Sequence, residues 1–102
     1  MALTISITDE VGNEISSISD ERNILHRILP SHDDQAFFCL NKIDWYGDTI
    51  FNRYQIADLI AEFRRLEKQT IINDDLALIN NIIELALESK STPHLYLKFI
   101  GD

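Results

Sequence analysis

The chain has 102 residues, is 45% hydrophobic, and carries 17 acidic against 9 basic residues, a formal net charge of −8. One domain around one core is the expectation, and frequent Ile, Leu and Phe beside only 3 Gly and 2 Pro argue against disorder. The acidity argues against nucleic acid as a partner: phosphate would be repelled, and the basic cluster Arg64-Arg65 with Lys68 shares its helix with Glu62 and Glu67.

Leu3, Ile5 and Ile7 alternate with Thr4, Ser6 and Thr8, the period of a half-buried strand. Residues Asp9 to Asn13 carry turn chemistry, since Gly12 and Asn13 tolerate positive φ. Ile15 to Ile18 reads as the return arm of a hairpin, although its alternation fails. Asp20 is placed to cap a short helix with the apolar stripe Ile24, Leu25, Ile28 and Leu29, stopped by Pro30. After a polar loop from Ser31 to Gln35, the apolar run Ala36 to Leu40 has the length and composition of an interior strand. Cys39 lies inside that run and reads as a small buried residue. As a lone cysteine it suits a reducing compartment. The start of the chain lacks a basic leader and no apolar run nears the roughly 18 residues that span a bilayer, so a cytoplasmic protein without membrane contact is expected.

Asn52 begins the strongest helix signal. Its side chain and that of Gln55 form a capping box, with Phe51 and Ile56 spaced as a hydrophobic staple. Ile56, Leu59, Ile60, Phe63 and Leu66 follow at helical spacing. Asn73-Asp74-Asp75 is expected to cap the next helix, whose apolar positions from Leu76 to Leu87 cover roughly 200° of the wheel. So wide a stripe needs two covers: the preceding helix and a sheet, or a sheet and a second copy of the chain. Ser91-Thr92-Pro93 ends that helix, and Leu95, Leu97 and Phe99 alternate in a last strand. The reading is an α+β fold, one mixed β-sheet with helices packed on it in the order ββαβ(β)ααβ, with an α-hairpin at about 53–90.

Chemistry is sparse. His26, His32, Asp33 and Asp34 lack a known metal-ligand spacing, so no metal is expected. No Ser sits in a Gly-x-Ser-x-Gly elbow, and Cys39 has no neighbouring His in sequence. The three glycines are too scattered for a phosphate loop, so no nucleotide cofactor is expected. Asp44 and Asp48 flank Trp45-Tyr46-Gly47; Asp48 reads as the carboxylate of an Asx-type turn with Gly47 and Asp44 as a solvated one, sooner than the two as an acid–base pair. Trp45, Tyr46, Arg53 and Tyr54 are of the residue types enriched in interface hot spots. His94 and Tyr96 lie two apart on the last strand and are expected on one face, aimed at the Tyr46–Asp48 turn.

Tyr46-Gly47-Asp48-Thr49-Ile50-Phe51-Asn52 and the ending His94-Leu95-Tyr96-Leu97-Lys98-Phe99-Ile100-Gly101-Asp102 resemble a group of small, acidic, uncharacterised bacterial proteins. Those carry a Tyr-Gly-Asp-Thr-Val-Phe-Asn block and a His-Leu-Tyr-Leu-x-Phe-Ile-Gly-Asp ending. In that pattern a Pro often precedes the Tyr, where this chain has Trp45. The resemblance implies that the two motifs form one site, with Tyr46, Asp48, Arg53, His94, Tyr96 and Asp102 as its candidates. By size and charge the chain also resembles toxin-immunity proteins, as a class and with no shared motif.

These observations lead to a non-enzymatic, acidic protein-binding module, of immunity type against a basic toxin. Asp9, Glu10, Asp33, Asp34, Asp44 and Asp48 would steer the partner, and Trp45 and Tyr46 would anchor it. The alternatives are a small-molecule or enzymatic site built from Asp48, Arg53, His94 and Tyr96, and a homodimer formed on the last helix.

Overall fold

The computed structural model describes residues 2–101. Its elements are β1 (Thr4–Thr8), β2 (Glu14–Ser19), α1 (Ile24–Ile28), a short 3-10 turn (Leu40–Lys42), β3 (Asp48–Phe51), α2 (Arg53–Gln69), α3 (Asn73–Ser91) and β4 (Tyr96–Ile100). The strands form one sheet in the order β2-β1-β4-β3, with every neighbouring pair antiparallel. The α+β fold and the helical hairpin are as expected. The sheet is antiparallel and not mixed, and the connections explain it. A single crossover helix returns the chain parallel, whereas the two helices α2 and α3 between β3 and β4 return it antiparallel.

The β1–β2 hairpin accounts for the failed alternation. Ile7 pairs with Ser16 but Thr8 pairs with Glu14, so Ile15 is the extra residue of a bulge. Ile18 still faces inward opposite Ile5. The turn closes on Asp9, whose carboxylate accepts from the backbone N–H of Val11 and of Asn13, while Gly12 takes φ +88°. The Asn13 N–H holds the Asp9 carboxyl below its ordinary value.

The N-cap of α1 is Asn23, not Asp20, yet Asp20, four residues before Ile24, supplies the carboxylate that satisfies the helix start. Its two carboxylate oxygens accept from Ile24 N–H and Leu25 N–H at 2.9 and 2.8 Å. The capping box of α2 forms as expected: Asn52 accepts from Tyr54 N–H and Gln55 N–H, and Gln55 accepts from Asn52 N–H. The expected side-chain cap of α3 does not form. Ile72 is the N-cap, and the first-turn carboxylates are engaged by arginines: Asp74 by Arg22 and Asp75 by Arg27.

Ala36 to Leu40 is not a strand. Phe37, Leu40 and Ile43 are buried and Phe38 is exposed, a spacing of three that belongs to turns and 3-10 geometry. The N–H groups of Cys39 and Leu40, which a strand would give to a neighbour, go instead to the carboxylate of Glu62.

One face of the sheet carries Leu3, Ile5, Ile7, Phe51, Leu97 and Phe99 into the core with α2 and α3. Apart from Leu87, which is 44% exposed, the wide stripe of α3 is covered within the chain, by α2, α1 and strands β1, β2 and β4. Its width therefore does not call for a second copy. Among the described residues, no helix is long and apolar enough to cross a membrane.

Candidate functional site

The two motifs meet, and they do so as a β-ladder. Asp48 pairs with Ile100, Thr49 with Phe99, Ile50 with Lys98 and Phe51 with Leu97. Beyond the ladder, Gly101 N–H donates to Gly47 O at 2.8 Å. Gly101 is required there, since a Cβ would fall 2.3 Å from the carbonyl oxygen of Trp45. Asp44, and not Asp48 as expected, shapes the turn: its N–H donates to Thr49 Oγ1 and its carboxylate accepts from Tyr46 N–H, while Asp48 already opens β3. Asp102 lies outside the described residues.

This turn separates the two aromatic anchors expected from sequence. Trp45 is half-buried against the core, edge-on to His26 with ring centroids 5.1 Å apart. Tyr46 stands out in solvent. Along β3 and its flanks, Tyr46, Ile50 and Tyr54 are 72%, 56% and 83% exposed. β3 is an edge strand, paired on one side only by β4. Ile50 was not singled out in the sequence. Its signal is the alternation Thr49-Ile50-Phe51, which sends Ile50 to the face opposite Phe51.

That opposite face is the outer face of the sheet. Tyr96, Lys98 and Ile100 point to it from β4, alternating with buried Leu97 and Phe99. Two shallow hollows adjoin there and share Tyr96. One, of about 250 Å³, is lined by Thr8, Asp9, Glu10, Gly12, Ile50, Tyr96 and Lys98. The other, of about 170 Å³, is lined by Asn52, Arg53, Tyr54, His94, Leu95 and Tyr96. Lys98 Nζ lies 3.4 Å from Asp48 Oδ2 on this surface, and His94 Nδ1 meets the carboxylate of Glu10.

Arg53, His94 and Tyr96 are thus gathered at one hollow, and Asp48 is not among them. Asp48 sits opposite Ile100, four residues along β4 from Tyr96, or about 13 Å at strand spacing. His94 does not share a strand face with Tyr96. It precedes β4 with φ +66°, which turns it toward the β1–β2 turn and away from the Tyr46–Asp48 turn. Four side chains split in this way do not form one concave catalytic constellation. Among the described residues, no group of three or more His, Cys, Asp or Glu is placed to hold a metal ion.

A further buried polar centre escaped the sequence reading. Glu62 is only 4% exposed; one of its oxygens accepts from Cys39 N–H and Leu40 N–H at 3.0 Å, the other from Cys39 N–H at 2.9 Å. Cys39, packed beside it, has its thiol pushed up to about 12 by burial and by the Glu62 charge. The thiol is therefore protonated and a poor nucleophile in the folded state. Compared with protein-family models, curated proteins and solved structures, the chain matches none.

Proposed function

We propose that the chain is a non-catalytic acidic module that binds a basic protein partner on the outer sheet face and the β3 edge. An immunity-type inhibitor of a basic bacterial toxin is the specific form of this reading. The observation that carries it is the exposure of Tyr46, Ile50 and Tyr54, three large side chains on β3 or next to it in the chain, together with the unpaired edge of that strand. Exposed aromatics beside a rigid strand are what a partner's pocket accepts, and an open edge can add a partner strand. Asp9 and Glu10 line a hollow with Ile50, Asp44 and Asp48 flank Tyr46 along the chain, and with a net charge of −8 they favour a basic partner. Trp45 supports the surface from below, and its neighbour Tyr46 makes the contact.

The test is a pull-down from native host lysate with the wild type beside Tyr46→Ala/Ile50→Asp. The expected result is one basic protein retained by the wild type and lost by the variant, with association that slows as salt rises. A partner retained equally by both would move the interface elsewhere on the molecule. No retained protein in either lane would remove this reading.

A second reading has one observation in its favour: Arg53, His94 and Tyr96 line a single hollow where a small anion would find cationic and hydroxyl donors. Its volume of about 170 Å³ lies below the range of roughly 300–1,000 Å³ usual for small-molecule sites, so the protein-binding reading is preferred.

A further inference from the structure

The stretch from Ser31 to Ile43 is tied to the molecule by side chains. Its backbone–backbone hydrogen bonds are local, such as Asp34 N–H to Ser31 O, Asn41 N–H to Phe37 O and Ile43 N–H to Leu40 O. Among the described residues, none joins its backbone to the backbone of a strand or helix of the body. It nevertheless buries Phe37, Cys39, Leu40 and Ile43 in the core. One stripe of α2 holds it there. Glu62 accepts the N–H groups of Cys39 and Leu40, and Arg65 donates to Ala36 O with its guanidinium 4.8 Å from the Phe37 ring centroid. Two turns before Glu62 on the same helix, Gln55 O lies 3.9 Å from Cys39 Sγ. The two ends are anchored independently. Pro30 follows α1, and the Asp44–Gly47 turn is fixed to Thr49 and Gly101 by its own hydrogen bonds.

We propose that Ser31–Ile43 is a strap that opens as a unit while the sheet and the α2–α3 hairpin stay folded, with Glu62 as its latch. A segment held by four buried apolar side chains and a few polar ties, with no backbone ladder to the body, breaks only part of the domain's interactions on opening, so it opens at lower free energy than the whole domain. Opening bares Cys39 and the α2 face around Glu62, which gives the protein a second, locally open state. Nothing in this inference rests on the proposed partner surface.

Cys39 is the only cysteine in the chain, so its labelling by an aromatic disulfide reads the strap directly. The protonated, buried thiol reacts only after opening. Amide exchange at Ile5, Leu97 and Phe99 in the central strands reads global unfolding in the same sample. In the wild type, Cys39 should open to reagent at least about tenfold more often than those amides open to solvent. Glu62→Gln keeps the shape and replaces one acceptor oxygen by a donor. It should raise labelling by a further factor of about ten while exchange at the central strands stays put. Equal opening of Cys39 and the central strands in the wild type would overturn the strap. So would labelling at the rate of an unfolded-chain thiol, since the closed state would then be absent. If Glu62→Gln does not fold, the wild-type comparison still decides, and Arg65→Ala tests the second tie.

Discussion

Two regions of the molecule bury a carboxylate to the same degree and satisfy it by opposite means. Where the strap meets α2, Glu62 is 4% exposed and is met by backbone N–H groups. Where α1 meets α3, Asp75 is 2% exposed and is met by the fork of Arg27, at 2.7 and 2.9 Å. The first arrangement pins an irregular backbone, which has no ladder of its own. The second joins two helices that already satisfy their own backbones. Glu62 therefore decides local structure, whereas Asp75 decides how two finished elements sit together.

The largest expected effect follows from this contrast. Glu62→Ala orphans two buried N–H groups and leaves a void, and should cost about 3 kcal/mol in urea unfolding. A cost within about 0.5 kcal/mol would mean that the strap finds other acceptors and that Glu62 is no latch.

At the other corner the two partners should not be equivalent. Arg27→Met leaves the buried Asp75 carboxylate alone, whereas Asp75→Asn leaves an arginine whose side chain is 54% exposed and can turn to water. The urea midpoint should fall further for Arg27→Met, yet less than for Glu62→Ala. An orphaned carboxyl can take up a proton, and orphaned amide groups have no such recourse. The pair also carries a pH signature. The hydrogen bonds and charge of Arg27 hold the Asp75 carboxyl below its ordinary 3.8. A depressed folded value means that the unfolded chain binds the proton first as pH falls. The contribution is therefore fully present above about pH 4 and is lost as pH drops through the folded value. Urea midpoints measured downward from pH 5 should decline more steeply for the wild type than for Asp75→Asn. Parallel curves would assign the acid sensitivity to other groups.

What the sequence showed of these regions follows the same divide. Features that depend on neighbours along the chain were legible: the alternation of β1, the capping box at Asn52, and the helical hairpin. Features that depend on a distant backbone were not. Ala36 to Leu40 has a strand's composition, but it was the side chain of Glu62, more than twenty residues away, that took its N–H groups. Glu62 did leave a trace, since it stands three residues after Leu59 and four before Leu66 on the buried stripe of α2. Asp74 and Asp75 had the composition of a cap, and Arg22 and Arg27 engaged them instead. At the candidate surface, the two motifs are brought side by side by the β3–β4 ladder, a long-range pairing that no local pattern announces. The split between half-buried Trp45 and exposed Tyr46 depends on His26 and Gly101, which no local pattern links to them.

The smallest expected effect tests whether burial, and not ion pairing as such, sets the order. Arg22 and Asp74 lie at the same corner as Arg27 and Asp75, and their contact of 2.8 Å is as short. Their side chains, however, are 72% and 62% exposed, so water and salt screen the attraction and the ordering of two long side chains offsets the rest. Arg22→Ala should therefore change stability by no more than about 0.5 kcal/mol, and that small change should vanish in high salt. A loss comparable to that of Arg27→Met would mean that the two pairs act as one network clamping the start of α3. The corner would then be held by collective charge, and the contrast with the strap would rest on the number of charges and not on the kind of donor.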